Sequence, residues 1–155
     1  MSPMPKTIIS DTSCFIIFTN IGEFELLHKV YGEIITTIDI ATEFGENLPE
    51  WVKIVAVEDR YRQQLLEMQI DKGESSAIAL ALEIPDSTLI IDDYKARKIA
   101  IKLGLTITGT IGVIIKAKLK GVIPSIKPLL EKIKLTDFRL SEAIEIEALR
   151  EAKEL

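Results

Sequence analysis

The chain has one cysteine, Cys14, one histidine, His28, and a single tryptophan among 155 residues. A lone cysteine closes no internal disulfide and builds no thiolate zinc site, which suits a reducing compartment. A lone histidine gives little support to a histidine zinc site or to a Ser-His-Asp triad. Cys14 lies in an apolar stretch and reads as a small core residue rather than a nucleophile. No segment approaches the roughly 18 uninterrupted apolar residues of a membrane-spanning helix. Residues 1–6 carry Pro3 and Pro5 in place of the charged segment and long apolar run of a secretory signal. A soluble, unexported, cytoplasmic protein with no membrane partner is therefore expected. Neither a Gly-Lys-Ser/Thr loop nor a GxGxxG fingerprint is present, so the usual nucleotide-phosphate cradles are excluded.

Positive charge is also scarce. Lys and Arg number 19 against 24 Asp and Glu, a formal net charge of −5. Such a balance excludes a passive nucleic-acid coat protein, which needs clustered cations for phosphate contacts. It does not exclude a nuclease, whose carboxylates bind a divalent cation and whose basic residues need line only one groove. Lys95, Arg97, Lys98 and Lys102 on one segment, and Lys116, Lys118 and Lys120 on another, are first of all solvated helix faces, and second a grip on RNA phosphates.

What the chain does have is apolar content, 47% hydrophobic residues against 28% charged. At this length that predicts one domain spanning residues 1–155, with a helical C-terminal segment at about 125–155. Short β-branched runs at 7–10, 33–38, 51–57, 87–91 and 105–108 predict strands. Helical spacing predicts helices up to Gly32, from Ile40 to Phe44, at 60–70, from Glu74 to Leu82, at 94–103, 111–119, 126–135 and 141–152. On this reading Lys72 and Gly73 close the helix at 60–70, whose Tyr61, Leu65, Leu66 and Met68 face partly inward. Phe15, Ile17, Phe18, Phe24 and Leu27 are expected in the core, with a dimer surface as their second reading. Gly104 fits the left-handed position that ends a helix. Alternation of this kind implies an α/β fold, a three-layer α/β/α sandwich around a mostly parallel central sheet.

In open sheets of this class ligands collect beyond the carboxyl ends of the strands. Asp11 and Asp92 each follow a buried strand directly, and Glu43 and Glu74 fall in helical segments close to strand ends. Each taken alone has an ordinary explanation, an Asp as a helix N-cap or an early Glu favoured by the helix dipole. Gathered together, four carboxylates would repel one another unless a divalent cation neutralised them. Asp93 competes with Asp92 as the fourth acid, and Asp39 stands behind Glu43 as an alternative or as the cap of its helix. Ser13 and Thr110 are supporting hydroxyls that either cap helices or hold a carboxylate or phosphate oxygen.

Four segments carry a resemblance: Ile8-Ile9-Ser10-Asp11-Thr12-Ser13, Glu43 after the second strand, Gly73-Glu74-Ser75-Ser76-Ala77-Ile78-Ala79-Leu80-Ala81, and Leu89-Ile90-Ile91-Asp92-Asp93-Tyr94-Lys95-Ala96-Arg97. Followed by Gly109-Thr110 and an apolar helix, they resemble the PIN-domain family, to which toxin ribonucleases of toxin–antitoxin pairs belong. The resemblance runs from Ile8 to about Arg139. It implies a magnesium- or manganese-dependent endoribonuclease with catalytic acids Asp11, Glu43, Glu74 and Asp92, and with Asp93 added among the metal ligands. The implied partners are an RNA substrate, an antitoxin protein and a second copy in a homodimer. Two departures stand out: the segment from Thr36 to Thr42 lacks the Pro that often opens the corner before the second acid, and Glu74 occupies a position where many toxin-like relatives carry Asp. A PIN-like domain that binds protein without catalysis is the alternative. A haloacid-dehalogenase phosphatase or a receiver domain fits less well, because Asp11-Thr12-Ser13 lacks a second Asp and Thr108-Gly109 lacks the partnering Lys.

Overall fold

A computed structural model describes residues 7–155; Pro3 and Pro5 lie outside the described residues. Five short strands, β1 (Thr7–Ser10), β2 (Ile34–Thr37), β3 (Val52–Val55), β4 (Ser87–Ile90) and β5 (Thr106–Thr108), form one sheet in the order β3-β2-β1-β4-β5. Every pairing is parallel, with Ile9 opposite both Ile35 and Leu89. Parallel strands buried on both faces read as continuous apolar runs, and Ile8, Ile9, Leu89 and Ile90 are all buried.

Nine helices connect and cover the strands among the described residues: α1 (Thr12–Asn20), α2 (Glu25–Tyr31), α3 (Ile38–Phe44), α4 (Arg60–Glu67), α5 (Lys72–Glu83), α6 (Tyr94–Lys102), α7 (Thr110–Leu119), α8 (Lys127–Lys134) and α9 (Glu142–Glu151). The fold is the expected three-layer α/β sandwich. Helix α5 packs on β1, β2 and β4 and against α4 and α6, whereas α7 packs against α2 and α9. The small residues Gly73, Ser75, Ser76, Ala77, Ala79 and Ala81 let α5 lie close to its neighbours, and all are buried. None of the described helices is long and apolar enough to cross a membrane.

The element boundaries differ from expectation where side chains cap the backbone. The run at 33–38 yields a strand only to Thr37, whose hydroxyl accepts from Ile40 N and starts α3 two residues early. Asp39 is not that cap; it accepts from Gln63 Nε2 at 2.7 Å and lies 3.7 Å from Lys72 Nζ. Lys72 and Gly73 do not close α4 but open α5, because Asp71 accepts from Glu74 N at 2.8 Å as its N-cap. The inward face of α4 is Gln63 and Leu66, while Tyr61, Leu65 and Met68 are exposed; the buried Gln63–Asp39 bond fixes which face turns in. Leu103 is exposed while Ala96 and Ala100 are buried, since α6 ends at Lys102 and Gly104 turns the chain at a φ of 81°.

Phe15, Ile17, Phe18 and Leu27 are buried, and Phe24 packs on them with Phe15–Phe24 ring centroids 5.6 Å apart. Core packing is thus their observed role. His28 stacks on Trp51 and its Nδ1 lies 2.6 Å from the Gly32 carbonyl, which leaves it bonded within the helix end.

Candidate active site

The direction in which successive strands are added to the sheet reverses between β1 and β4. From β1 the chain proceeds outward to β2 and β3, then returns across the sheet to β4 and continues the other way to β5. Strands diverging from such a switch point leave a crevice at their carboxyl ends, and two acids stand on its two sides. Asp11 follows β1, and Asp92 lies just beyond the end of β4.

Asp11 is buried and held by backbone. Its Oδ1 accepts from Cys14 N at 2.9 Å, capping α1, and its Oδ2 accepts from Asp92 N at 3.3 Å, reaching across the switch point. Asp11 N donates to the Ile90 carbonyl at 3.1 Å. The cap and the strand-end acid are therefore one residue, so capping α1 does not remove Asp11 from the switch point. Burial, then the facing Asp92 and more distant Glu74, push the Asp11 carboxyl well above the usual carboxylate range.

Asp92 is fixed from the β5 side. Its Oδ1 accepts from Thr110 N at 2.8 Å and its Oδ2 from Thr110 Oγ1 at 2.6 Å. Burial raises its proton affinity, opposed by these two bonds and by the Arg97 charge. Arg97 belongs to α6 but turns inward and donates from Nη1 to the Ile91 carbonyl at 2.7 Å. It is a structural cation, not one of a solvated row. Gly109 makes room for both: a Cβ there would come within 2.8 Å of Asp92 Oδ1 and 3.0 Å of Arg97 Nη1. Its φ of −126° is open to any residue, so the glycine is required by crowding rather than by backbone shape.

Glu74 sits in the first turn of α5 and is pushed up to about 7 by burial and by Asp71 and Asp93. Glu43 is exposed and reaches the same turn, its Oε1 only 3.0 Å from where a Cβ on Gly73 would stand. Asp93 is engaged locally: its Oδ2 accepts from Ala96 N at 2.9 Å and caps α6. The structure therefore brings Asp11 and Asp92 into contact, places Glu74 within electrostatic range, leaves Glu43 on the rim over Gly73, and gives Asp93 a capping role. The five acids do not form one cluster; among the described residues no three His, Cys, Asp or Glu side chains gather tightly enough to hold a metal ion by themselves.

The Thr110 hydroxyl holds the Asp92 carboxylate, one of the two arrangements open to it from the sequence. Ser13 is exposed and lines a depression of about 400 Å³ together with Glu74, Asp92, Asp93 and Arg139. No site role for Phe138 and Arg139 was legible in the sequence; they lie between α8 and α9 and line the same depressions as Asp92 and Asp93. Their only signal was an aromatic followed by a cation in a polar linker. Lys116, Lys118 and Lys120 are occupied elsewhere: Lys116 lies 5.7 Å from the Tyr31 ring centroid, Lys118 donates to the Ala152 carbonyl and Lys120 to the Val30 carbonyl.

The PIN domain model matches residues 7–154 of the chain. The protein belongs to the PIN-domain family. No curated protein and no solved structure matches it. The PIN domain is a nuclease-type fold, and divalent metals typically serve it. The donor set here suits such an ion in kind: the site offers carboxylate and hydroxyl oxygens, while Cys14 is buried and His28 is engaged at a helix end. Magnesium is commonly held by one or two carboxylates with water completing its shell, which a two-acid contact flanked by Glu74 can supply. Thr12 Oγ1, one residue from Asp11, is buried without a hydrogen-bond partner among the described residues.

Proposed function

We propose that the protein is a divalent-cation-dependent endoribonuclease that hydrolyses single-stranded RNA, the toxin half of a toxin–antitoxin pair. The observation carrying this reading is the Asp92 N to Asp11 Oδ2 contact of 3.3 Å across the switch point, which sets the buried Asp11 carboxylate beside half-buried Asp92, with Glu74 in electrostatic range. Two such groups raise each other's proton affinity and need a cation or a proton to coexist.

Asp11 and Asp92 would hold magnesium or manganese, with Thr110 keeping the Asp92 carboxylate oriented. The bound ion would polarise the phosphate and lower the proton affinity of water. Glu74 would take the proton from the attacking water, its affinity near neutrality being suited to a general base. The water oxygen bonds to phosphorus as one ester P–O bond breaks, and the leaving oxygen takes a proton from solvent. Glu43 and Asp93 would orient water at the rim. An antitoxin would act by covering the same crevice, and a second copy of the chain remains a proposed partner.

Two observations favour a second reading, a PIN domain retained for protein binding. Asp92 is already doubly bonded by Thr110 and no three acids converge among the described residues. Cation-induced thermal stabilisation separates the two: a rise in Tm on adding manganese, lost in Asp11→Asn, supports the enzyme, and no rise in any form supports the binding module.

A further inference from the structure

Two open depressions meet at the acids. The larger, about 790 Å³, runs beside β5, α7 and α9, and the smaller, about 400 Å³, runs beside α1; Asp92, Asp93, Phe138 and Arg139 line both. A bound strand passing from one to the other would have residues on each side of Asp92.

The α8–α9 linker holds the junction. Phe138 is half-buried and packs against the core, which anchors the linker and leaves the next residue, Arg139, exposed. Of the two arginines lining the larger groove, Arg97 is spent on the Ile91 carbonyl, whereas Arg139 makes no ion pair among the described residues. Tyr94 lines the same larger groove, immediately after Asp93 and 76% exposed, a large aromatic surface that the fold does not use for packing. Lys98 Nζ lies 5.3 Å from its ring centroid.

An exposed ring flanked by a cation, in one groove with an unpaired guanidinium and the carboxylates, matches the alternation of base and phosphate in a single strand. Bases stack on aromatic faces and phosphates pair with Arg. A duplex keeps its bases stacked on each other and offers the ring nothing. We infer that Tyr94 and Arg139 are the substrate clamp, Tyr94 stacking an unpaired base and Arg139 pairing with a phosphate on the other side of the cleaved bond. This rests on the nuclease reading for the identity of the bond between them, but the clamp itself is a binding claim.

The test is binding of a short labelled mixed-sequence single-stranded RNA, across a salt series with magnesium, in an Asp11→Asn background so that no strand is cut. Tyr94→Leu should weaken binding by about 10-fold, and Tyr94→Phe should retain it. Arg139→Met should weaken binding and lower the slope of log K against log salt by about 0.7, the single-strand value for one phosphate, with Arg139→Lys keeping the slope. Lys53→Met, on the far edge strand β3, removes the same charge and should change neither. The same order among the variants is expected for KM in the Asp11 chain. Unaltered affinity and slope in both Tyr94→Leu and Arg139→Met would overturn the clamp and give the groove to a protein partner, as would equal affinity for duplex. A wild-type chain that binds but does not cut would remove the nuclease reading while the clamp still stands or falls on these slopes; a chain that binds no RNA overturns both.

Discussion

Thr110 gives both its backbone N–H and its hydroxyl to the Asp92 carboxylate, at 2.8 and 2.6 Å. One residue at the start of α7 thereby fixes the orientation of an acid that follows β4. Thr110→Val keeps shape and the N–H but removes the hydroxyl, so Asp92 should lose one anchor while remaining in place. Cleavage is expected to fall by about 10–100-fold with a smaller change in Tm, and Thr110→Ser should restore most of it. Rates and melting curves of the three forms check this.

Gly109 is the neighbour that allows this approach. A methyl there would meet Asp92 Oδ1 and Arg97 Nη1 together, and both are held by other bonds. Gly109→Ala should destabilise the fold by about 1–3 kcal/mol in denaturant unfolding and weaken manganese binding.

Arg97 supplies an internal positive charge where a cation would also act. Arg97→Met removes the bond to the Ile91 carbonyl, so the metal-free protein should lose about 1–3 kcal/mol. The Asp92 charge is then less compensated, so the gain in Tm on adding magnesium should be larger than in the wild type. A gain that is unchanged or smaller would place Arg97 outside the electrostatics of the site.

Stability should depend on pH in a direction set by Glu74. Its folded-state pKa of about 7 exceeds its ordinary 4.5, so between these values the folded chain binds more protons than the unfolded one. The slope of unfolding free energy with pH is then negative. The contribution is fully present below pH 4.5 and is lost as pH rises through 7. Asp11, also raised, acts in the same direction. In chelator, Tm should fall between pH 5 and pH 8 (about those values) relative to a Glu74→Gln variant, and magnesium at the upper pH should restore it.

The sheet was legible because its strands are β-branched runs ending at Asp11 and Asp92, and burial on both faces leaves only apolar residues between. Asp11 and Asp92 were legible as candidates for the same reason: a charge directly after a buried run has few structural places to be. The pairing of Thr110 with Asp92 was half visible, as a hydroxyl opening a helix with its partner left open. What one sequence hid were contacts between segments far apart in the chain. Arg97 looked like one of four cations on a helix until the Ile91 carbonyl drew it inward. Asp39 looked like a cap until Gln63, 24 residues on, claimed its carboxylate. The α4 face misread for the same reason, since Tyr61, Leu65 and Met68 have the apolar character of a buried stripe and only the Gln63 bond decides otherwise. Phe138 and Arg139 reach the acids through the path of a linker, which periodicity does not encode.

The most direct test is cleavage of labelled single-stranded RNA by the wild type, Asp11→Asn and Asp92→Asn, each with manganese, with magnesium and with chelator. Cleavage by the wild type that requires the metal, and that falls by about 100–10,000-fold in both variants with melting temperatures preserved, is the predicted result. Cleavage that survives in chelator, or that both variants retain, would contradict the assignment of Asp11 and Asp92 as the centre of the site.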